Sequence, residues 1–296
     1  MMRRELIDEL LQKTSRTFAL AIPLLPEALC AEVGVGYLLF RIADTLEDAP
    51  RLGRDARIAE LQDWITLLQE PTHDAAQQLA ARWKISPPSD NEDYNYLLSE
   101  TPAVIGALHA LPSDSQAVIL RHAIRSAQGM AETLAGADIR GSFRLTSLAD
   151  LQQYCYYVAG IVGEMLTDLF ALRLPPSKAR DALANSAARF GEALQLVNIL
   201  KDAPDDARDG RTYLPTAPPH TEVIALARDN LAHAARYAAH LEAAGAAAGM
   251  VAFVTLPRTL AEATLDELER GNRKVARSVV SAKLAEAQAI RSGQAT

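Results

Sequence analysis

Apolar residues recur every three to four positions along most of this chain, and strand-like alternation rich in β-branched residues is scarce, so the pattern predicts helices. Helical periodicity runs over residues 3–12, 27–48 and 54–68, with Pro50 and Gly53 punctuating the second gap. Further helices are expected at about 93–99, 102–110 and 115–134, separated by Pro87-Pro88 and Leu111-Pro112. After a loop through 135–146, Ser147 has the character of an N-cap for one long helix to about Leu172, ended before Pro175-Pro176. Another helix is expected from Ser177 to about Asp209. Gly210 to Pro215 and Pro218-Pro219 form the one long irregular stretch, and residues 221–290 read as two or three helices broken near Gly245 to Gly249, with a second break open at Pro257. No repeat or low-complexity linker divides the chain, so the expected architecture is all-α and a single domain over residues 1–296.

Composition narrows the class. The chain of 296 residues is 49% hydrophobic and only 5% aromatic, which suits a large soluble helical core. A formal charge of −7 argues against a nucleic-acid binder and against a purely electrostatic anchor on anionic lipid. Cys30 and Cys155 lie in apolar helical segments and are expected to be reduced; the six histidines show no metal spacing. The N-terminus meets Glu5, Asp8 and Glu9 before any apolar run, so it is not a secretory signal and the mature chain is expected to start there. The Ala/Gly-rich tract 243–256 is too short to span a membrane.

Candidate chemistry lies in two acidic pairs. Asp44 and Asp48 stand four apart, as do Asp202 and Asp206; four residues of helix rise about 6 Å and return to the same face. Acidic pairs at this spacing are common on solvated helix faces, and either pair alone reads that way. Their company changes the reading. Tyr37 and Arg41 share the face of Asp44, behind an apolar stretch at 33–40, while Gln195, Asn198, Asp202 and Asp206 draw a polar stripe down a helix otherwise built of Leu194, Val197, Ile199 and Leu200. A polar stripe on an apolar helix is unfavourable unless it lines a site. Hard divalent cations are often held by one or two carboxylates together with substrate phosphates, so two such pairs suggest Mg²⁺ and a diphosphate. Pro204, inside the second pair, is expected to place it at a kink or a helix end.

Five segments, in order, carry a resemblance: Thr14-Ser15-Arg16-Thr17-Phe18; Tyr37 through Arg41 to Asp44-Thr45-Leu46-Glu47-Asp48; Gly129-Met130-Ala131-Glu132 with Tyr154 to Gly163; Gln195-Leu196-Val197-Asn198 to Asp202 with Asp206; and Gly210-Arg211-Thr212-Tyr213-Leu214-Pro215. In these the chain resembles the squalene/phytoene synthase family of head-to-head prenyl synthases over nearly its whole length. The resemblance implies a helical bundle of the class I isoprenoid synthase type around a central cavity. In it two prenyl diphosphates are joined, with Mg²⁺, for which Mn²⁺ could substitute, held by Asp44, Asp48, Asp202 and Asp206. It implies substrate binding by Arg16, Thr17, Phe18, Tyr37, Gln195, Asn198, Lys201, Arg211 and Tyr213, and catalytic roles for Arg41 and for Tyr154, the tyrosine placed for proton transfer in cyclopropane formation.

Two departures qualify the match. Lys201 stands where many members carry Arg, exchanging a bidentate contact for a point charge. The basic cluster that binds NADPH in eukaryotic squalene synthases is sparse near residues 277–283, although Arg273, Lys274 and Arg277 are close by, so NADPH use is open. The motif style favours farnesyl diphosphate converted to presqualene diphosphate and onward to squalene. The alternatives are a dehydrosqualene or phytoene synthase without NADPH and, in another class, a non-catalytic helical assembly factor; a terpene cyclase fits less well for want of its metal-binding motifs. Apolar substrate tails with no anchor in view suggest a cytoplasmic protein with at most peripheral membrane contact. The sequence does not reveal its oligomeric state. Tyr157 reads as packing, Gly160 and Gly163 as close helix contacts, and Glu164 with Asp168 as a polar face.

Overall fold

The computed structural model describes residues 2–15, 17–208, 210–215 and 220–294. Helices α1 (Met2–Thr14), α2 (Phe18–Ala21), α3 (Glu27–Glu47), α4 (Arg54–Gln69), α5 (His73–Ile85), α6 (Glu92–Ser99), α7 (Thr101–His109) and α8 (Ser113–Ala135) fill the first half. Helices α9 (Leu148–Cys155), α10 (Ile161–Ala171), α11 (Lys178–Arg208), α12 (His220–Ala243), α13 (Ala248–Glu269) and α14 (Arg277–Ser292) follow. The all-α expectation holds, apart from the two-residue strands β1 (Phe143–Arg144) and β2 (Arg211–Thr212).

The chain forms two compact units. The first comprises Met1–Ala19 and Ala31–Phe143. There Leu38, Leu39, Ile42 and Leu46 form the fully buried face of α3, Trp64 of α4 and Ile119 of α8 are likewise buried, and Trp83 of α5 buries its ring while donating its indole N–H to Glu60 Oε2 at 2.8 Å. The periodic reading omitted α5. Thr72 caps it by accepting from Ala75 N–H, and Ala76, Leu79, Ala80 and Trp83 supply its buried face.

The second unit comprises Leu20–Cys30 and Arg144–Thr296. Its longest helix, α11, packs against α10 and α12, with Phe190 stacked on Tyr237 at 5.6 Å. The single helix expected from Ser147 to Leu172 is corrected here: after α9, residues Tyr156–Gly160 form a π turn before α10 begins. The backbones beside it approach very closely. A Cβ on Gly163 would lie 2.0 Å from Ala187 O, and one on Gly191 would lie 1.8 Å from Ala159 O, so both glycines are required by packing. Ser147 is the expected N-cap, in a capping box with Asp150. Pro204 lies inside α11, which ends at Arg208, so the second acidic pair sits at a helix end as expected, whereas α13 runs through Pro257 without the break left open there. The last stretch breaks at Gly245, as expected, and again in residues 270–276 rather than at Pro257. Both cysteines are free, and among the described residues no helix is long and apolar enough to cross a membrane.

Candidate functional site

The first acidic motif grows from the geometry of α3. With Leu38, Ile42 and Leu46 turned inward, Tyr37, Arg41 and Asp44 fall along the other face at intervals of four and three, and Asp48, just past the helix end, is tied back by its N–H donating to Asp44 O at 2.9 Å. Tyr37 donates its hydroxyl to Thr14 O at 2.8 Å, which leaves the phenol oxygen to accept from Arg41 Nε at 3.1 Å and Nη2 at 3.0 Å. The third arm of the fork, Nη1, reaches Asp44 Oδ2 at 3.1 Å. The guanidinium also lies over the rings of Tyr37 (5.4 Å) and Tyr94 (5.7 Å). Burial opposes the Arg41 charge, but Tyr37, Asp44 and Tyr94 outweigh it and hold the group above its ordinary value. Asp44 behaves oppositely. Burial raises its carboxyl to about 6; Arg41 pulls it down and Asp48 pushes it further up. Its side chain remains 31% exposed, so a ligand can reach it. Phe18 packs its ring 5.5 Å from Tyr37, beside half-buried Thr17. Arg16 lies outside the described residues.

The second motif sits near the C-terminal end of α11. Lys201 Nζ spans Asn198 Oδ1 at 3.4 Å and Asp202 Oδ2 at 3.2 Å, while Gln195 lies half-buried earlier on the helix. Asp206 pairs with Arg211 Nη2 at 3.5 Å, both side chains being under one-fifth exposed. Between α11 and β2, Gly210 takes φ +79, a conformation in which a side chain is strained, and turns the chain back. Leu145 N–H then donates to Thr212 O at 2.9 Å, and Tyr213 is buried with its ring centroid 4.8 Å from that of Tyr154.

Some neighbours escaped the sequence reading. Tyr94, on α6, has no local pattern that links it to Arg41. Asp205 is claimed by cations: Arg273 Nη2 reaches its Oδ2 at 2.5 Å, Arg208 holds its other oxygen, and together they keep its carboxyl below the usual carboxylate range. Arg273 also donates from Nε to Lys201 O at 3.1 Å, tying the 270–276 segment to the second motif. Glu164, read as part of a polar face, accepts from Tyr156 of the π turn at 3.2 Å.

The donor chemistry of both motifs fits Mg²⁺. The ligands on offer are hard carboxylate oxygens, and the carboxyl of Asp44, raised chiefly by burial and further by Asp48, is what a bound cation would relieve. Among the described residues no group of three or more His, Cys, Asp and Glu side chains could hold a metal ion by itself. Two carboxylates per motif leave further positions to water and phosphate oxygens, the pattern magnesium commonly adopts.

Helices carrying Asp-x-x-x-Asp motifs, each with a cation beside an aspartate, define an all-α protein of the isoprenoid synthase type. The squalene/phytoene synthase profile matches residues 11–217, and the chain belongs to that family. Squalene synthase of Schizosaccharomyces pombe is 32% identical over 210 residues, covering 70% of this chain and 43% of that protein. The squalene synthase of Bos taurus is 31% identical over 209 residues, covering 69% and 45%. The matched stretch thus spans less than half the length of these relatives. Among solved structures, TcSQS in complex with the ligand E5700 superimposes with a TM-score of 0.77 at 25% identity, over 96% of this chain and 86% of that one. A dehydrosqualene synthase in complex with ligand gives 0.62 at 20% identity, over 99% and 97%, a likeness of fold.

Proposed function

We propose that this protein condenses two prenyl diphosphates head to head, joining two farnesyl diphosphates to presqualene diphosphate and carrying that onward to squalene, with loss of the second diphosphate and a hydride supplied by NADPH. Residues 1–296 are read as one synthase domain. The observation that carries the reading is the pairing of carboxylate with cation in each motif: Arg41 with Asp44, Lys201 with Asp202 and Arg211 with Asp206. A diphosphate needs both, since carboxylates hold a metal and cationic N–H groups take the remaining phosphate charge.

Bound by Asp44, Asp48, Asp202 and Asp206, Mg²⁺ would neutralise the charge that develops on the departing diphosphate. Arg41, Lys201 and Arg211 donate N–H groups to phosphate oxygens, and Arg16, Thr17, Phe18, Tyr37, Gln195 and Asn198 complete the binding of the diphosphate ends. Ionisation breaks a C1–O bond, both electrons leaving with the diphosphate. The double bond of the second molecule captures the allylic cation, and loss of one proton closes the cyclopropane. Tyr154 is the residue assigned to that proton. A phenol is a weak base, so it acts as a carrier, with the departing diphosphate as the final base. Apolar side chains must keep water from the cation meanwhile. The protein is read as cytoplasmic, with at most peripheral contact with a membrane.

One observation favours a second reading, a dehydrosqualene-type synthase that does not use NADPH. Of the basic side chains at 273–283, Arg273 is engaged with Asp205 and Lys283 with Glu286 at 3.0 Å, which leaves few to bind a dinucleotide phosphate. The test is incubation of purified protein with farnesyl diphosphate and Mg²⁺, with and without NADPH, followed by mass spectrometry of extracted and phosphatase-treated products. Squalene that appears only with NADPH supports the first reading. Dehydrosqualene in its absence supports the second. Inactivity with farnesyl and geranylgeranyl diphosphates alike would overturn both and favour a non-catalytic role.

A further inference from the structure

Tyr154 and Tyr213 are separated by 59 positions in the chain, and the second unit brings them together at two levels. Their rings lie 4.8 Å apart at 30°, and the Tyr154 hydroxyl donates to the Tyr213 hydroxyl oxygen at 3.2 Å. Tyr154 is 4% exposed and Tyr213 is 7% exposed, so the contact is shielded from bulk water. Both tyrosines are set by rigid elements. Tyr154 stands on α9, started by the Ser147–Asp150 capping box and followed at once by the π turn. Tyr213 follows β2, fixed by the Gly210 turn and the Leu145–Thr212 hydrogen bond.

A lone phenol hydroxyl rotates about its C–O bond, so its lone pairs have no fixed direction. Engaging its hydrogen removes that freedom. We propose that Tyr213 is a positioning residue for Tyr154: it accepts the Tyr154 hydroxyl hydrogen, so that as the Tyr154 oxygen takes the substrate proton its own hydrogen passes to the Tyr213 oxygen and the Tyr213 hydrogen leaves toward the departing diphosphate, each oxygen ending as a neutral hydroxyl. The assignment rests on the prenyl-transfer reading for its chemistry, but the hold of one tyrosine on the other is a property of the folded chain. It also changes the role assigned to Tyr213 from binding the diphosphate to acting through Tyr154.

The test compares Tyr213→Phe, Tyr154→Phe and the double variant, each keeping its ring and checked for an unchanged thermal melt. With farnesyl diphosphate and Mg²⁺, Tyr213→Phe should lower kcat about tenfold, the worth of one well-placed hydrogen bond, and leave KM within about twofold. Tyr154→Phe should lower kcat about a hundredfold, and the double variant should be no slower than Tyr154→Phe alone, because the two act as a unit. Full kcat in Tyr213→Phe, or losses that multiply in the double variant, would overturn the proposal. A second readout needs no turnover. In protein carrying ¹³Cζ-tyrosine, the Tyr154 resonance, assigned by its loss in Tyr154→Phe, should shift in Tyr213→Phe. If it shifts while the wild-type chain turns over no prenyl diphosphate, the prenyl-transfer reading falls and the hold of Tyr213 on Tyr154 stands. If it does not move, the hold itself is refuted whatever the activity.

Discussion

The two acidic motifs share a spacing and differ in setting. Asp44 stands in the last turn of a well-buried helix, next to an arginine whose fork is filled by a tyrosine that is itself tied to Thr14 O. Asp202 is 47% exposed, served by a flexible lysine, near the end of a helix that carries a proline between its two acids. The first motif is held by a half-buried, hydrogen-bonded arginine, whereas the second depends on a single lysine ammonium and on ion pairs with Arg211 and Arg273. Spacing alone makes them look equivalent, but packing makes one rigid and leaves the other adaptable.

The largest effect should come from removing a carboxylate in either motif. Asp44→Asn and Asp202→Asn are each expected to reduce turnover on the order of a thousandfold, with unchanged helical circular dichroism and weakened Mg²⁺ binding by calorimetry. Near-wild-type turnover in either variant would remove that aspartate from the proposed metal set.

The cations should respond unequally. Arg41→Lys loses a three-armed arrangement that a single ammonium cannot reproduce, and kcat/KM should fall about thirtyfold. Lys201→Arg enters a looser site and should stay within about threefold. Equal losses in the two variants would contradict the contrast between the motifs.

A smaller effect concerns pH. The folded carboxyl of Asp44 is raised to about 6, above its value near 4 in an unfolded chain, so the fold binds this proton more tightly than the unfolded state does. Its contribution to stability is therefore fully present below about pH 4 and is lost as pH rises through about 6. With one-third of the side chain exposed, solvent screening brings the difference to about 1–2 kcal/mol. Without Mg²⁺, the Tm of the wild type should decline relative to Asp44→Asn between pH 4 and 6, and Mg²⁺ should restore it above pH 6. A flat difference across that window would mean that Asp44 is not destabilised by its surroundings.

The smallest effect should be that of Pro204→Ala. Pro204 is exposed and lies one turn from the end of α11, so restoring its N–H should stabilise the helix by about 1 kcal/mol and alter turnover less than threefold. A tenfold change in turnover would show that the proline sets the geometry of the second motif.

Much of the helical layout was legible because the polar and apolar faces of α3 and α11 follow a helical period over many turns. Helix α5 was equally available, since Ala76, Leu79, Ala80 and Trp83 recur at the helical spacing, but alanine is a weak marker of burial and the segment passed as a connection. The π turn had no such signal. One extra residue in a helical turn leaves the composition unchanged, and only the close approach of α10 to α11 at Gly163 and Gly191 reveals the packing around it. Nor did Pro204 and Pro257 break their helices: Pro257 is buried in α13, where packing outweighs one missing hydrogen bond, and Pro204 is exposed so close to the end of α11 that little helix follows it.

By itself the sequence determined the all-α class, the family motifs and the presence of two aspartate pairs, because each is written in local spacing along one helix. Tertiary structure decided which neighbours give those residues their properties: Tyr94 over Arg41, Arg273 on Asp205, Tyr213 against Tyr154. These contacts join positions dozens of residues apart, and their burial and distances arise only when the helices pack, so no local period could encode them.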